Sequence, residues 1–170
     1  TVVELMDRVL PVEDEEISTM ARKSFEKQGM KILTGAKVTK LDKGKDTVTA
    51  HIEMGGKVEK RDFTHVISAV GIVGNTENIG LEKTKVKTDR GHITADEYGR
   101  RDEKGVYAIG DVVSPPWLAH KASHEGIICI EKIAGEKDVH PMVKTNIPGC
   151  TYCHPQVASV GLTEKAAKDA

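Results

Sequence analysis

What this sequence has little of narrows it first. Aromatic residues make up only 4% of the 170 residues, and three cysteines are present, an odd number and too few for the disulfide framework of a small secreted protein. No apolar run approaches the roughly 20 residues that cross a bilayer, and the first residues lack the basic and apolar regions of a signal peptide. The chain is therefore expected to be cytoplasmic and to have no membrane partner. Twenty-five basic side chains against 26 acidic ones leave a net charge of −1, and no lysine or arginine block marks a nucleic-acid footprint. Repeats and low-complexity tracts are absent as well. What remains is a globular chain long enough to bury about 70% of its unfolded surface, as one compact domain or two small ones. It opens on Thr1 and runs at once into TVVEL, a strand already under way, so further chain is expected upstream.

The first forty residues carry a strand, helix, strand pattern. Val2, Val3 and Leu5 form a short apolar strand. Pro11 and the acidic residues Glu13–Glu16 supply a helix start, with negative charge opposing the positive dipole end. Ile17, Met20, Ala21 and Phe25 then form one apolar stripe, Gly29 terminates it, and Lys31–Leu41 returns to extended chain. Such a unit links neighbouring strands of a parallel sheet. From Thr47 to Met54 the chain alternates, with Val48, Ala50, Ile52 and Met54 on one face, and Gly55-Gly56 suits the positive φ angles of a two-residue hairpin turn. His65–Val70 is nearly continuously apolar, which predicts a strand covered on both faces. Gly80–Lys104 is polar and turn-rich, with a short β segment at His92–Ala95. Gly105–Val113 reads as another buried strand, Trp117–Ile133 as a helix, Asp138–Pro148 as irregular chain, and Val157–Gly161 as a new β segment. The fold class is α/β.

Several residue patterns carry chemistry. The strand ending in Gly110-Asp111 places a glycine and a carboxylate where open α/β sheets bind ligands, so Asp111 can accept sugar hydroxyls; it can equally cap the following turn. Glu4 closes the first strand where a dinucleotide fold grips the adenosine ribose, an acid that disfavours a 2′-phosphate and so favours NAD. Arg8 stands close to it, the expected glycine fingerprint is missing, and a solvated strand-end carboxylate accounts for Glu4 as well. Gly71-x-x-Gly74 lacks the third glycine of a phosphate loop. Cys150-Thr151-Tyr152-Cys153-His154 has the spacing of covalent haem attachment, of half a zinc site or of a redox dithiol. A noncatalytic metal- or haem-binding module using Cys150, Cys153 and His154 is thus the alternative from another class. Cys150 and Cys153 are otherwise expected to be buried or half-buried, and Cys129 to be an ordinary helix-core residue.

GVYAIGDVV followed by WLAHKASHEGIICIEKIAG resembles the flavin segment of the dihydrolipoamide dehydrogenase family, and TVVELMDRVLPVEDEEI, SAVGIVGNTENIGLE and CHPQVASVGLTE resemble further segments of it in the same order. The resemblance covers essentially the whole chain. It implies an internal piece of a homodimeric flavoenzyme: residues 1–74 from the NAD domain, 75–143 from the FAD region and 144–170 from the start of the dimerisation domain. In that family dihydrolipoyl groups, carried on the lipoyl domains of 2-oxoacid dehydrogenase complexes, reduce an active-site disulfide, and electrons pass through FAD to NAD. Carried over residue by residue, Asp111 would bind the flavin ribityl chain, and Trp117, Leu118, Ala119 and His120 would lie along the flavin, where the start of the next helix would stabilise negative charge on the pyrimidine edge. Glu4, Val38 and Gly71 would contact NAD, Gly71 because a side chain there would obstruct the nicotinamide. Without the resemblance, His120 is part of a polar helix face, Val38 a core valine and Gly71 a strand-ending turn. The family's redox disulfide, first flavin fingerprint and histidine–glutamate pair match nothing here, so no catalytic residue is assigned and the chain alone is expected to be inactive and prone to self-association through unpaired strand edges. A related flavin disulfide reductase acting on glutathione, mercuric ion or another acceptor is the remaining alternative.

Overall fold

A computed structural model describes residues 1–170. The chain forms two compact units, Thr1–Ala69 with Pro148–Ala170, and Val70–Ile147.

In the first unit the strand–helix–strand pattern is present. Strand β1 (Val2–Val3) pairs in parallel with β2 (Ile32–Leu33), and helix α1 (Glu15–Lys27) connects them. Two acidic residues stand in the first turn of α1, and Gly29 follows its end at φ +93°. The buried face of α1 differs from the expected stripe: Ala21 is buried beside Ser18, whereas Ile17 and Met20 are exposed. The Ser18 hydroxyl donates to the Val9 carbonyl, which meets the polar group's need for a partner.

The predicted extension from Lys31 to Leu41 divides at Gly35 (φ +60°) into β2 and β3 (Ala36–Lys43). Strands β3, β4 (Val48–Met54) and β5 (Lys57–Phe63) make an antiparallel sheet in that order, with Gly55 and Gly56 both at positive φ in the β4–β5 turn. The alternation reads through to burial at Ala36, Ala50 and Ile52, on which Val3, Leu33 and Phe63 pack. On β4, His51 Nε2 meets Asp42 Oδ2 at 2.7 Å, and Lys40 Nζ lies 2.6 Å from Asp42 Oδ1. The Lys40 ammonium, then His51, hold the Asp42 carboxyl below the usual carboxylate range. A carboxyl lowered in the folded state adds stability above its ordinary value and loses it as pH falls through the folded value. Asp42→Asn is therefore expected to be less stable than the unaltered chain at pH 7, with the gap closing below about pH 4. Urea midpoints at pH 7 and pH 3 check this, and a gap of constant size would refute it.

Two expected strands do not form. Residues 65–70 join no ladder and are exposed, Ile67 at 91% and Val70 at 95%. An apolar run becomes a strand only against a neighbour that accepts its backbone, and the parallel sheet here has just two strands of two residues each. Residues 105–113 likewise make one isolated bridge, Tyr107 to Arg100, before a 3₁₀ turn at Gly110–Val112. The segment is only partly buried, with Ala108 and Val113 inside and Tyr107 and Ile109 exposed.

The second unit also contains the hairpin β6 (Thr88–Asp89) and β7 (His92–Ile93), turned at Arg90 and Gly91, both at positive φ. Its core joins Ile93, Ala108 and Val113. Helix α2 (Ala119–Ala134) follows and ends at Gly135 in the left-handed conformation. Cys129 is buried on α2 as expected, and burial pushes its thiol up; Ile127, Ile130 and Ile133 of the predicted stripe are exposed. Back in the first unit, β8 (Gly149–Thr151) and β9 (Val157–Ser159) pair antiparallel, and a short helix α3 (Glu164–Asp169), capped by Thr163, closes the chain. The sequence reading did not anticipate α3. No helix is long and apolar enough to cross a membrane.

Candidate functional site

The strongest motif folds into a turn held by the helix that follows it. Gly110 adopts φ +76°, a left-handed conformation in which a side chain is strained. A Cβ placed on it would stand 3.3 Å from the Ala122 Cβ, so the absent side chain also lets the turn approach α2 closely. Three bonds fasten the turn. The Gly110 N–H donates to Glu125 Oε2 at 2.8 Å, the Trp117 indole N–H to the Val113 carbonyl at 3.0 Å, and Lys121 Nζ to the Ser114 carbonyl at 2.9 Å. Lys121 Nζ also pairs with Glu125 Oε1 at 2.9 Å, and the Lys121 side chain is only 3% exposed. A cavity of about 270 Å³ opens beside this network, lined among others by Ala108, Ser114, Lys121 and Glu125.

Asp111 sits in the middle of the fastened turn. It is exposed, and its carboxylate accepts no hydrogen bond from the rest of the chain. The alternative in which Asp111 caps the following turn is thus without a bond to support it. Trp117 stacks on His92, ring centroids 4.9 Å apart and 20° between planes. Leu118 is the extended N-cap residue of α2, Ala119 its first residue, and no side chain caps that end. His120 lies on the exposed face of the first turn. The five candidates Asp111, Trp117, Leu118, Ala119 and His120 therefore occupy one continuous stretch of the second unit.

In the first unit, Glu4 follows β1. Its N–H donates to the Leu33 carbonyl and its carbonyl accepts from Ala36, which joins the end of β1 to the start of β3. Val38 stands two residues along β3 and is 39% exposed, which removes the alternative that it is a core valine. Glu4 Oε1 accepts from the Met6 N–H at 2.8 Å. Arg8 turns to the Pro11 carbonyl at 3.2 Å. Gly71, in the second unit, has φ +134°, with open space where a Cβ would stand. The strand that it was expected to end is absent, so its glycine is demanded by φ and not by a strand end.

Cys150 is exposed on β8, against the expectation that it is at least half-buried, because the two-stranded β8–β9 ladder covers only part of its surface. Cys153 is half-buried and donates to the carbonyls of Thr151 and Pro155. No group of three or more His, Cys, Asp or Glu side chains able to hold a metal ion is assembled, so His154 does not complete a ligand set with the two thiols.

Sequence reading passed over Lys121 and Glu125. Their four-residue spacing on a predicted helix is a visible ion-pair signal. Their contact with the Gly110 turn arises only in the fold.

Comparison with known proteins shows the family. The pyridine nucleotide-disulphide oxidoreductase family matches over residues 1–126. The chain belongs to that family. Among curated members of this oxidoreductase family, the dihydrolipoyl dehydrogenase of Rhizobium etli is 59% identical across 99% of this chain and that of Zymomonas mobilis 51% identical across 99%. The chain spans 35% and 36% of their lengths. Among solved structures, LpdA from Mycobacterium tuberculosis superposes with a TM-score of 0.88 at 26% identity, covering 99% of this chain and 36% of that one. The flavoprotein disulfide reductase RclA from Escherichia coli, at 21% identity and a TM-score of 0.85, supports the fold alone. The resemblance carried by GVYAIGDVV and its neighbouring segments is borne out, as is the α/β class.

Proposed function

We propose that this chain acts within a dihydrolipoyl dehydrogenase that oxidises dihydrolipoyl groups and reduces NAD. The observation that carries this is the Gly110-Asp111 turn: an exposed, unpaired carboxylate beside an uncapped helix start, in a sequence 59% identical to a dihydrolipoyl dehydrogenase. These residues suit a flavin, since the donor set offers an acceptor for sugar hydroxyls and a positive helix end, and Gly110 leaves room for close packing. When bound, FAD supplies the two-electron chemistry that links thiol oxidation to the nicotinamide.

On this reading Asp111 accepts hydrogen bonds from the ribityl hydroxyls. Trp117, held by His92 and by the Val113 carbonyl, forms with Leu118, Ala119 and His120 a wall along the flavin, and the α2 dipole favours negative charge there. Glu4 accepts from the adenosine ribose of NAD, with its carboxylate oriented by the Met6 N–H, and Arg8, turned to Pro11, does not offer itself to a 2′-phosphate. Val38 and Gly71 border the nicotinamide dinucleotide. Residues 1–74 serve the NAD domain, 75–143 the FAD region and 144–170 the dimerisation domain of a cytoplasmic homodimer that meets lipoyl domains of 2-oxoacid dehydrogenase complexes. No residue of this chain is assigned to the thiol or acid–base steps.

The test is NAD reduction at 340 nm by the full-length enzyme, with dihydrolipoamide as donor. Dihydrolipoamide with NAD is expected to exceed glutathione or NADP by orders of magnitude in kcat/KM. Glu4→Ala is expected to raise the KM for NAD about tenfold while sparing kcat, because one charge-assisted bond to bound NAD is lost. A preference for glutathione or for NADP would overturn the reading.

A further inference from the structure

The Lys121–Glu125 pair has a cost that packing does not explain. Lys121 is among the few buried charged side chains of the chain, and a buried ammonium is tolerated only when paired and hydrogen-bonded. Its partners are specific. The ammonium holds the Ser114 carbonyl, Glu125 bridges to it through one carboxylate oxygen, and the other oxygen takes the Gly110 N–H. Gly110 and Ser114 bracket the turn, and Asp111 lies between them with no bond of its own to fix its place. The pair therefore ties both ends of the turn to one face of α2, with Lys121 in the first turn that carries Ala119 and His120 and Glu125 one turn further along.

We propose that Lys121 and Glu125 are positioning residues for the flavin: they hold the Asp111 carboxylate at a set distance from the start of α2, so that ribityl chain and ring system are gripped together. This rests on the flavin reading given above. Neither side chain needs to touch the cofactor. Preorganisation of this kind shows as affinity, because an untethered turn must be ordered when the ligand binds.

The test uses the full-length enzyme, stripped of flavin and titrated with FAD by the quenching of flavin fluorescence. Glu125→Gln keeps shape and removes charge, and Lys121→Met keeps the aliphatic stem. Each is expected to raise the FAD dissociation constant about tenfold, with the two together little worse than either one. The deciding readout is a cycle with Asp111→Ala. A pair that acts through Asp111 loses its effect once that carboxylate is gone, so Glu125→Gln should weaken FAD less than twofold in the Asp111→Ala background. Loss of affinity by the same factor in both backgrounds would assign the pair a merely structural role and overturn the proposal. Unchanged affinity in Glu125→Gln would overturn it too, and this isosteric variant decides the matter if Lys121→Met does not fold. Unchanged affinity in Asp111→Ala alone would instead remove the flavin reading beneath it.

Discussion

Asp111→Ala in the full-length enzyme is expected to weaken FAD binding by about 10- to 150-fold while leaving the stability of the apoprotein within about 0.5 kcal/mol of the unaltered chain. The two halves of that expectation have one cause. The carboxylate is exposed and bonded to nothing within the chain, so its removal breaks no native contact. A ribityl hydroxyl given to an ionised acceptor is a charge-assisted bond worth about 1.5–3 kcal/mol, about a factor of 10 to 150 in dissociation constant. Asp111→Asn keeps an acceptor oxygen without the charge and should fall between the two. Fluorescence titration with FAD and thermal unfolding of the apoprotein, measured side by side, separate binding from folding. An unchanged dissociation constant in Asp111→Ala would exclude this carboxylate from the flavin site.

Ile52→Ala is expected to cost about 2–5 kcal/mol of unfolding free energy. Ile52 is 2% exposed and sits at the centre of the small cluster it forms with Ala36 and Ala50. Val3, Leu33 and Phe63 close over that cluster, so a cavity left there is lined by strands of the parallel pair and of the three-stranded sheet and has little room to collapse. Val58→Ala on β5, 57% exposed, is the matched control and should change stability by less than about 0.5 kcal/mol. Urea unfolding reads both. Equal midpoints for the two variants would mean that the three-stranded sheet is not stabilised by its buried face.

The contrast between these sites marks how far the sequence could be read. Alternation from Val48 to Met54 with two glycines after it is a local signal, and it specified strand, turn and buried face together. The helices α1 and α2 were legible for the same reason, since acidic residues at the start of α1, Gly29 past its end and the apolar spacing of α2 act within a few residues of themselves. Segments 65–70 and 105–113 were misjudged because apolar runs state only that burial is favourable, while a ladder needs a partner strand elsewhere. Cys150 shows the same limit, since the extent to which a hairpin covers a thiol depends on what lies over it.

The sequence by itself determined the α/β class, the hairpin at Gly55-Gly56 and the helix that follows Trp117, because each is written in the spacing or conformational demands of nearby residues. Only the tertiary structure decided that Lys121 is buried, that Glu125 meets the Gly110 N–H fifteen residues away, and that Asp111 stands between two tethered ends with its carboxylate free. Those are long-range facts: a hydrogen bond across a turn and a helix depends on how the chain folds back on itself, and no local periodicity encodes that.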